Sequence, residues 1–124
     1  MMKVVALVQA RMGSIRLPGK VLKEINDRPL IELLLKRLSR SKELSEIVVA
    51  TSDEPENDKL QSFVESLGYR CTRGSEKNVL NRFYESAKFT NADAIVRITA
   101  DCPLIDPTLV DECIKNFKNL KVDY

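Results

Sequence analysis

Residues 4–20 read VVALVQARMGSIRLPGK. The first five, Val4 to Val8, are all apolar and mostly β-branched, which is typical of a strand buried on both faces. The segment that follows, Gln9 to Lys20, is largely polar and contains two glycines and a proline, which predicts a loop. A buried strand that leads directly into such a loop indicates an α/β protein with a parallel sheet.

The rest of the chain repeats this alternation of apolar runs and helical patterns. Further strands are predicted at residues 47–50, 69–72 and 94–98. Apolar residues recur at helical spacing between Pro29 and Ser41, before Gly68, after Glu76 and after Pro107. The order β-α-β-α-β-α-β-α predicts a three-layer α/β/α fold with a mainly parallel sheet and helices on both faces.

The apolar faces of the last two helices can be predicted from the same spacing. The third helix is expected to bury Val79, Leu80, Phe83, Tyr84 and Ala87. The fourth is expected to begin at Asp106 and Pro107 and to carry Leu109, Val110, Cys113, Ile114 and Phe117 on its inner face.

The composition excludes several kinds of chemistry. The 124 residues contain no histidine, so Ser-His-Asp and Cys-His catalysis and two-His zinc motifs are ruled out. The net charge of +2 is too small to suggest a nucleic-acid platform, but it is uneven. Residues 1–50 carry 10 Lys and Arg against 5 Asp and Glu, and residues 51–124 carry 10 against 13. This asymmetry suits a site that holds an anion together with a metal ion.

The cysteines and the N-terminal residues indicate where in the cell the protein is expected to be located. Three cysteines without a C-x-x-C spacing fit reduced thiols in a cytosolic protein. The apolar run at the N-terminus is too short for a signal peptide or a membrane span. A cytoplasmic location without a membrane partner is therefore expected.

The loop after the first strand is the strongest candidate for anion binding. Arg11, Arg16 and Lys20 lie among Gly13, Ser14 and Gly19, directly after a buried strand. Guanidinium groups match phosphate oxygens, and glycines let backbone N–H groups approach an anion closely. Five residues separate the glycines and valine follows the lysine, so the segment is not a P-loop. An ordinary basic turn is the alternative.

The segments after the other strands are also candidates. Asp101 follows the fourth strand and fits a Mg²⁺ ligand, with a turn aspartate as the alternative, whereas Asp106 fits a helix cap. Arg73 and Ser75 follow the third strand and fit either a base or sugar contact or a helix start. Residues 51–53 have the composition of a turn and cap, and Cys102 is interpreted as a packing residue.

Three segments carry a resemblance to a known family. They are QARMGSIRLPGKVL at residues 9–22, GSEKNVLNR at residues 74–82 and RITADCPLI at residues 97–105. They resemble the motifs of the cytidylyltransferases that activate acidic sugars, which include the acylneuraminate and 3-deoxy-manno-octulosonate enzymes. The likeness is greatest to the spore coat polysaccharide biosynthesis (SpsF-like) group.

The resemblance implies a fold, a reaction and a set of site residues. The implied fold is that of the nucleotide-diphospho-sugar transferases, which is GT-A-like, with residues 1–124 as the N-terminal, nucleotide-binding part of one longer domain. The implied enzyme transfers CMP from CTP to an acidic sugar for surface polysaccharide synthesis, releases pyrophosphate, uses Mg²⁺ and is a homodimer at full length. Arg11, Lys20 and Asp101 would be catalytic, with Asp101 on the metal. The substrate-binding set would be Ala10, Arg11, Gly13, Ser14, Arg16, Lys20, Arg73 and Ser75.

Two other functions remain open at this point. A GT-A-type glycosyltransferase would use a nucleotide sugar as donor, but it normally carries a D-x-D motif, and Asp101-Cys102-Pro103 supplies one aspartate. A nucleotide-binding module without catalysis is the second alternative.

Overall fold

The computed structural model describes residues 3–10, 24–25, 28–74, 77–99 and 105–120. The strands are β1 (Val4–Gln9), β2 (Glu24–Ile25), β3 (Arg28–Pro29), β4 (Glu46–Ser52), β5 (Arg70–Gly74) and β6 (Ala94–Thr99). The helices are α1 (Leu30–Leu38), α2 (Asp58–Ser66), α3 (Val79–Thr90) and α4 (Pro107–Leu120), with a single 3-10 turn at Pro55–Asn57 before α2. No helix in these ranges has the length and apolar character needed to cross a membrane.

The main sheet has the order β5-β4-β1-β6, and every pair in it is parallel. β2 and β3 form a separate two-residue antiparallel pair. From β1 the chain first adds β4 and β5 on one side and then places β6 on the other side. The direction of strand addition therefore reverses between β1 and β6, and such a reversal opens a crevice at the carboxyl ends of the strands.

Helices cover both faces of the sheet, as predicted. Val4, Ala6 and Val8 of β1 point to one face, where they join a core with side chains of α1, α2 and α4. Val5 and Leu7 point to the other face, where they pack with Val48 and with Phe83 of α3. The three-layer α/β/α prediction is confirmed, because a strand that is apolar at every position can bury both of its faces only between two helical layers.

The predicted buried face of α3 was wrong in part. Leu80 is 81% exposed and Tyr84 is 61% exposed, whereas Arg82, Ser86 and Thr90 are buried. Hydroxyl hydrogen bonds make this polar face compatible with burial: Ser86 donates to the Arg82 carbonyl at 3.0 Å and Thr90 to the Ser86 carbonyl at 3.1 Å. Apolar spacing alone gave no sign that polar residues would occupy the inner positions.

Two element boundaries also matter for the site. β5 runs to Gly74, so Arg73 belongs to a strand and not to the predicted loop, and its register partner is Thr51. Asp106 caps α4 as predicted, since its Oδ1 accepts a hydrogen bond from the Thr108 N–H at 2.8 Å.

The predicted inner face of α4 was right only in part. Val110 and Ile114 are buried in the core, as expected. Leu109 is 58% exposed and Cys113 is also exposed, so the predicted burial of these two was wrong, although Cys113 lines a groove beside β6. Leu109 precedes Val110 by one position, and Cys113 precedes Ile114 by one position. One position corresponds to a rotation of about 100° around a helix with 3.6 residues per turn.

Candidate functional site

The carboxyl ends of the main strands form one edge of the sheet. Gln9, the last residue of β1, pairs in register with Ala50 of β4 and Thr99 of β6. Ser52 at the end of β4 pairs with Gly74 at the end of β5. All four segments that sequence reasoning selected therefore leave the sheet from this edge.

The structure describes only part of the predicted site. Ala10 is buried, and its N–H donates to the Ala50 carbonyl at 3.2 Å, so β1 stays attached to β4 up to the start of the basic loop. The other residues of that loop that were selected, Arg11, Gly13, Ser14, Arg16 and Lys20, lie outside the described residues. Ser75, Asp101 and Cys102 lie outside them as well.

Arg73 is engaged in hydrogen bonds within the chain. Its Nε donates to the Ser52 carbonyl at 2.6 Å, and its Nη2 donates to the Glu54 carbonyl at 2.9 Å and to Oδ1 of Asp58 at 3.0 Å. Nη1 donates to Oε1 of Gln61 at 2.7 Å. Four of the five guanidinium N–H groups are thus used, two on the carbonyls of Ser52 and Glu54 and two on side chains of α2, to hold the end of β4 and α2 against β5.

The end of β4 is held by hydrogen bonds, but the predicted helix cap at residues 51–53 was wrong, because Thr51 and Ser52 belong to β4 and the N-cap positions that follow are Glu54 and Asn57. Oγ of Ser52 accepts from Nδ2 of Asn57 at 2.6 Å, and the Asp53 N–H donates to the Gly74 carbonyl at 2.8 Å. Thr51 is fully buried, and its hydroxyl has no hydrogen-bond partner within the described ranges. These contacts fix the position of the β4 terminus relative to β5.

Gln9 and Arg97 form a contact that sequence reasoning missed. Nη2 of Arg97 donates to Oε1 of Gln9 at 3.2 Å, and the guanidinium carbon lies 4.9 Å from the centre of the Phe83 ring. A cation over an aromatic face is attracted to it. Both polar residues stand inside motifs that were noted in the sequence, but only the strand register shows that they meet.

Two cysteines are described, and both are free thiols. Burial, together with the nearby Glu65 carboxylate, raises the pKa of the Cys71 thiol to about 11, and Arg73 lowers it only in part. At neutral pH this thiol is protonated and is a poor nucleophile.

The candidate metal site can be compared with the donor set that Mg²⁺ prefers. No three His, Cys, Asp or Glu side chains are grouped to hold a metal ion within the parts of the chain that the structure describes. Mg²⁺ is commonly held by one or two carboxylates together with phosphate oxygens of the substrate. A single aspartate that follows β6, two residues beyond Thr99 at the strand end, fits such a donor set.

An apolar groove of about 450 Å³ lies between β6 and α4. Its lining includes Val4, Asp93 and Ala94, which are at the amino ends of the strands, together with Ile114 and Phe117. It is therefore at the opposite end of the sheet from the candidate site.

Comparison with solved structures defines the class of protein. A cytidylyltransferase from Leptospira borgpetersenii serovar Hardjo-bovis superposes with a TM-score of 0.91 at 40% identity, over 96% of this chain and 50% of that one. CMP:2-keto-3-deoxy-manno-octonic acid synthetase, solved in complex with CTP, gives a TM-score of 0.84 at 27% identity, over 94% and 48%. The parallel sheet and its helices have the nucleotidyltransferase fold, as predicted.

Sequence comparison then gives the family. Residues 5–124 match the cytidylyltransferase family, and the chain belongs to that family. It is 38% identical over 122 residues to the spore coat polysaccharide biosynthesis protein SpsF of Bacillus subtilis, covering 95% of this chain and 51% of the relative. The chain spans about half the length of the curated relatives it matches.

Proposed function

We propose that this chain carries the CTP-binding part of an enzyme that transfers CMP from CTP to an acidic sugar and releases pyrophosphate. The observation that carries the proposal is the pairing of Gln9 with Thr99 at the reversal of strand order. The basic segment and Asp101 follow these two strand ends in the sequence, so cations and a carboxylate start from neighbouring points. The similarity to a synthetase solved with CTP supports the same reaction.

The proposed mechanism needs positioning and charge, and no histidine. A sugar hydroxyl oxygen attacks the α-phosphorus of CTP and loses its proton to water, the bond from the α-phosphorus to the oxygen of the β-phosphate breaks, and the electron pair leaves with pyrophosphate. In this proposal Arg11 and Lys20 hold the triphosphate, with Arg16, Ala10, Gly13 and Ser14 beside them, and stabilise charge on the departing oxygens. Mg²⁺, when bound, neutralises further phosphate charge, and Asp101 would hold it.

The end of β5 is proposed to lie near the nucleoside. Arg73 would act there mainly by fixing the turn after β4, since its donors are already engaged, and Ser75 would lie near the cytosine or ribose. Residues 1–124 would form the N-terminal, nucleotide-binding part of one domain. We further propose that the protein supplies surface polysaccharide precursors, in line with the names of its relatives. A cytoplasmic location and a homodimer at full length are proposed on the family resemblance alone.

The test uses the protein at its full natural length with CTP and Mg²⁺. Pyrophosphate release is measured with 3-deoxy-manno-octulosonate and N-acetylneuraminate as acceptor sugars, and calorimetry measures CTP binding separately. We expect CTP binding and sugar-dependent release. CTP binding without release for any acidic sugar would favour a non-catalytic module, and absence of both would contradict the proposal.

A further inference from the structure

The contact between Gln9 and Arg97 lies near the carboxyl ends of the neighbouring strands β1 and β6. Arg97 pairs in register with Leu7, and Gln9 pairs with Thr99, so the contact bridges β1 and β6 on the α3 face of the sheet. Strand order reverses between these two strands, which is where ligands bind in open parallel sheets. None of the functions proposed above uses either side chain.

The contact leaves only hydrogen-bond donors for a ligand. Because a guanidinium has no acceptor, the amide oxygen of Gln9 must face Arg97, and the amide nitrogen is turned away from it. Neither that nitrogen nor the remaining N–H groups of Arg97 has an acceptor among the described residues, and Arg97 forms no salt bridge with them. The pair therefore offers a cation and a neutral N–H donor side by side.

The guanidinium is held in place while it stays accessible. The guanidinium carbon lies 4.9 Å from the centre of the Phe83 ring, and Phe83 is itself packed against the cluster of Val5, Leu7 and Val48. Arg97 is exposed on this face of the sheet, as is Ile95 two residues earlier on the same strand. A fixed, accessible arginine without a carboxylate partner is well prepared for binding an anion, because little side-chain freedom remains to be lost.

We propose that Gln9 and Arg97 together bind an oxyanion of a substrate that has two acceptor oxygens. The inference rests on the proposed function, whose substrates carry two such groups, the triphosphate of CTP and the carboxylate of the acidic sugar. The guanidinium fork binds the two oxygens, and the Gln9 amide adds a donor to one of them. The two sources share this chemistry, and the experiment below separates them.

The experiment compares variants of the full-length protein. Arg97→Gln removes the cation, Gln9→Met removes the amide, and Gln9→Glu places a carboxylate where the substrate oxyanion would bind. The matched control is Arg70→Gln, since Arg70 also lies 4.9 Å from a ring centre, that of Phe89, but it is on β5, at the other end of the strand order, and is paired with Glu46. Measured quantities are the Kd for CTP, the KM for the acidic sugar that supports pyrophosphate release, and the Tm.

We expect Arg97→Gln to raise the Kd for CTP or the KM for the sugar at least tenfold, and Arg97→Lys to have a smaller effect. A change in Kd assigns the pair to the triphosphate, and a change in KM alone assigns it to the carboxylate. Gln9→Glu should lose affinity at least as strongly while its Tm is kept or raised, because the new carboxylate pairs with Arg97. A purely structural contact would not produce that combination.

The result that overturns the inference is a set of folded Arg97 and Gln9 variants whose Kd and KM stay within twofold of the wild type. An equal loss in Arg70→Gln would overturn it too. Both outcomes leave the proposed function standing, because the wild type still binds CTP and releases pyrophosphate. If the wild type does neither, the proposed function fails first, and the inference falls with it.

Discussion

Arg70 and Glu46 are joined by two parallel hydrogen bonds across strands β5 and β4. Nε of Arg70 donates to Oε2 of Glu46 at 2.5 Å, and Nη2 donates to Oε1 at 2.7 Å. The hydrogen bonds from Arg70 hold the pKa of the Glu46 carboxyl below its usual value, with a further contribution from Lys3, although partial burial acts in the opposite direction. The pair attaches an edge strand to the sheet interior, and the lowered pKa makes its contribution dependent on pH.

Glu46→Gln is expected to lower the free energy of unfolding at pH 7, and this loss should become smaller as the pH is lowered to 3. A carboxyl whose pKa is lowered in the folded state stabilises the fold above its unfolded pKa, and this stabilisation is lost as the pH falls through the folded pKa. Urea unfolding at the two pH values measures the difference. Glu56→Gln is the control, since Glu56 is exposed and forms no ion pair with the described residues. A difference that was as large at pH 3 as at pH 7 would contradict this account.

Gly74→Ala is expected to destabilise the protein by about 1–3 kcal/mol, the usual range for overpacking. A Cβ at this position would stand 2.9 Å from Cγ and 3.2 Å from Cα of Arg82, which is buried and cannot easily move. Urea unfolding checks the value. Gly68 gives the contrast, because it has open space but a φ of +93°, so Gly68→Asn should be tolerated better than Gly68→Ala. At Gly74 asparagine should be worse than alanine.

Arg73→Lys is expected to lower the free energy of unfolding by about 1–3 kcal/mol, since an ammonium cannot replace four directed hydrogen bonds worth about 0.5–1.5 kcal/mol each. The carbonyls of Ser52 and Glu54 lose their donor in this variant. Affinity for CTP, measured by calorimetry on the folded variant, should fall by less than about fivefold. A tenfold loss of CTP affinity at unchanged stability would instead make Arg73 a direct nucleotide contact.

Lys20→Ala is expected to reduce kcat/KM of the full-length enzyme by about 100-fold, because a fixed cation at the triphosphate stabilises the developing charge. Its free energy of unfolding should stay within about 0.5 kcal/mol of the wild type, because a lysine in the predicted loop is expected to contribute little to the core. Pyrophosphate release and urea unfolding measure the two quantities. Lys36→Ala is the matched control, since Lys36 is half exposed and pairs with Glu32 on α1. Normal turnover in Lys20→Ala would contradict the proposed function of this residue.

The layered fold was predictable because an interior strand is a continuous apolar run in the sequence. Val4 to Val8 can bury both faces only inside a parallel sheet, so this short apolar run predicted both the strand and its position in the interior of the sheet. The inner face of α3 was not predictable in the same way. Arg82 and Ser86 are buried there because Gly74 leaves room for the Arg82 stem and Ser86 donates to a backbone carbonyl. Both causes come from tertiary contacts.

The candidate site was likewise predictable where it depends on topology, and it was not predictable where it depends on tertiary contacts. The edge on which it lies followed from topology, since loops after parallel strands share one end of the sheet. The contact between Gln9 and Arg97 needed the register of strands whose residues are 88 positions apart. Arg73 looked like a free loop cation because its partners, at the end of β4, in the turn that follows and in α2, are 12 to 21 positions away in the sequence.

The central position of β1 has a consequence for how the molecule is made. The strand at the N-terminus pairs with β6, and the Lys3 N–H donates to Oδ2 of Asp93 at 2.7 Å across a separation of 90 residues. A nascent chain can join β1 to β4 early, but it cannot finish the sheet until β6 has left the ribosome. Closing so long a loop costs conformational entropy that grows with the logarithm of its length, and such distant pairing slows folding. Until then, one edge of the strand that precedes the basic segment has no partner strand from β6, so synthesis of residues 94–99 sets the earliest moment at which the crevice between β1 and β6 can exist.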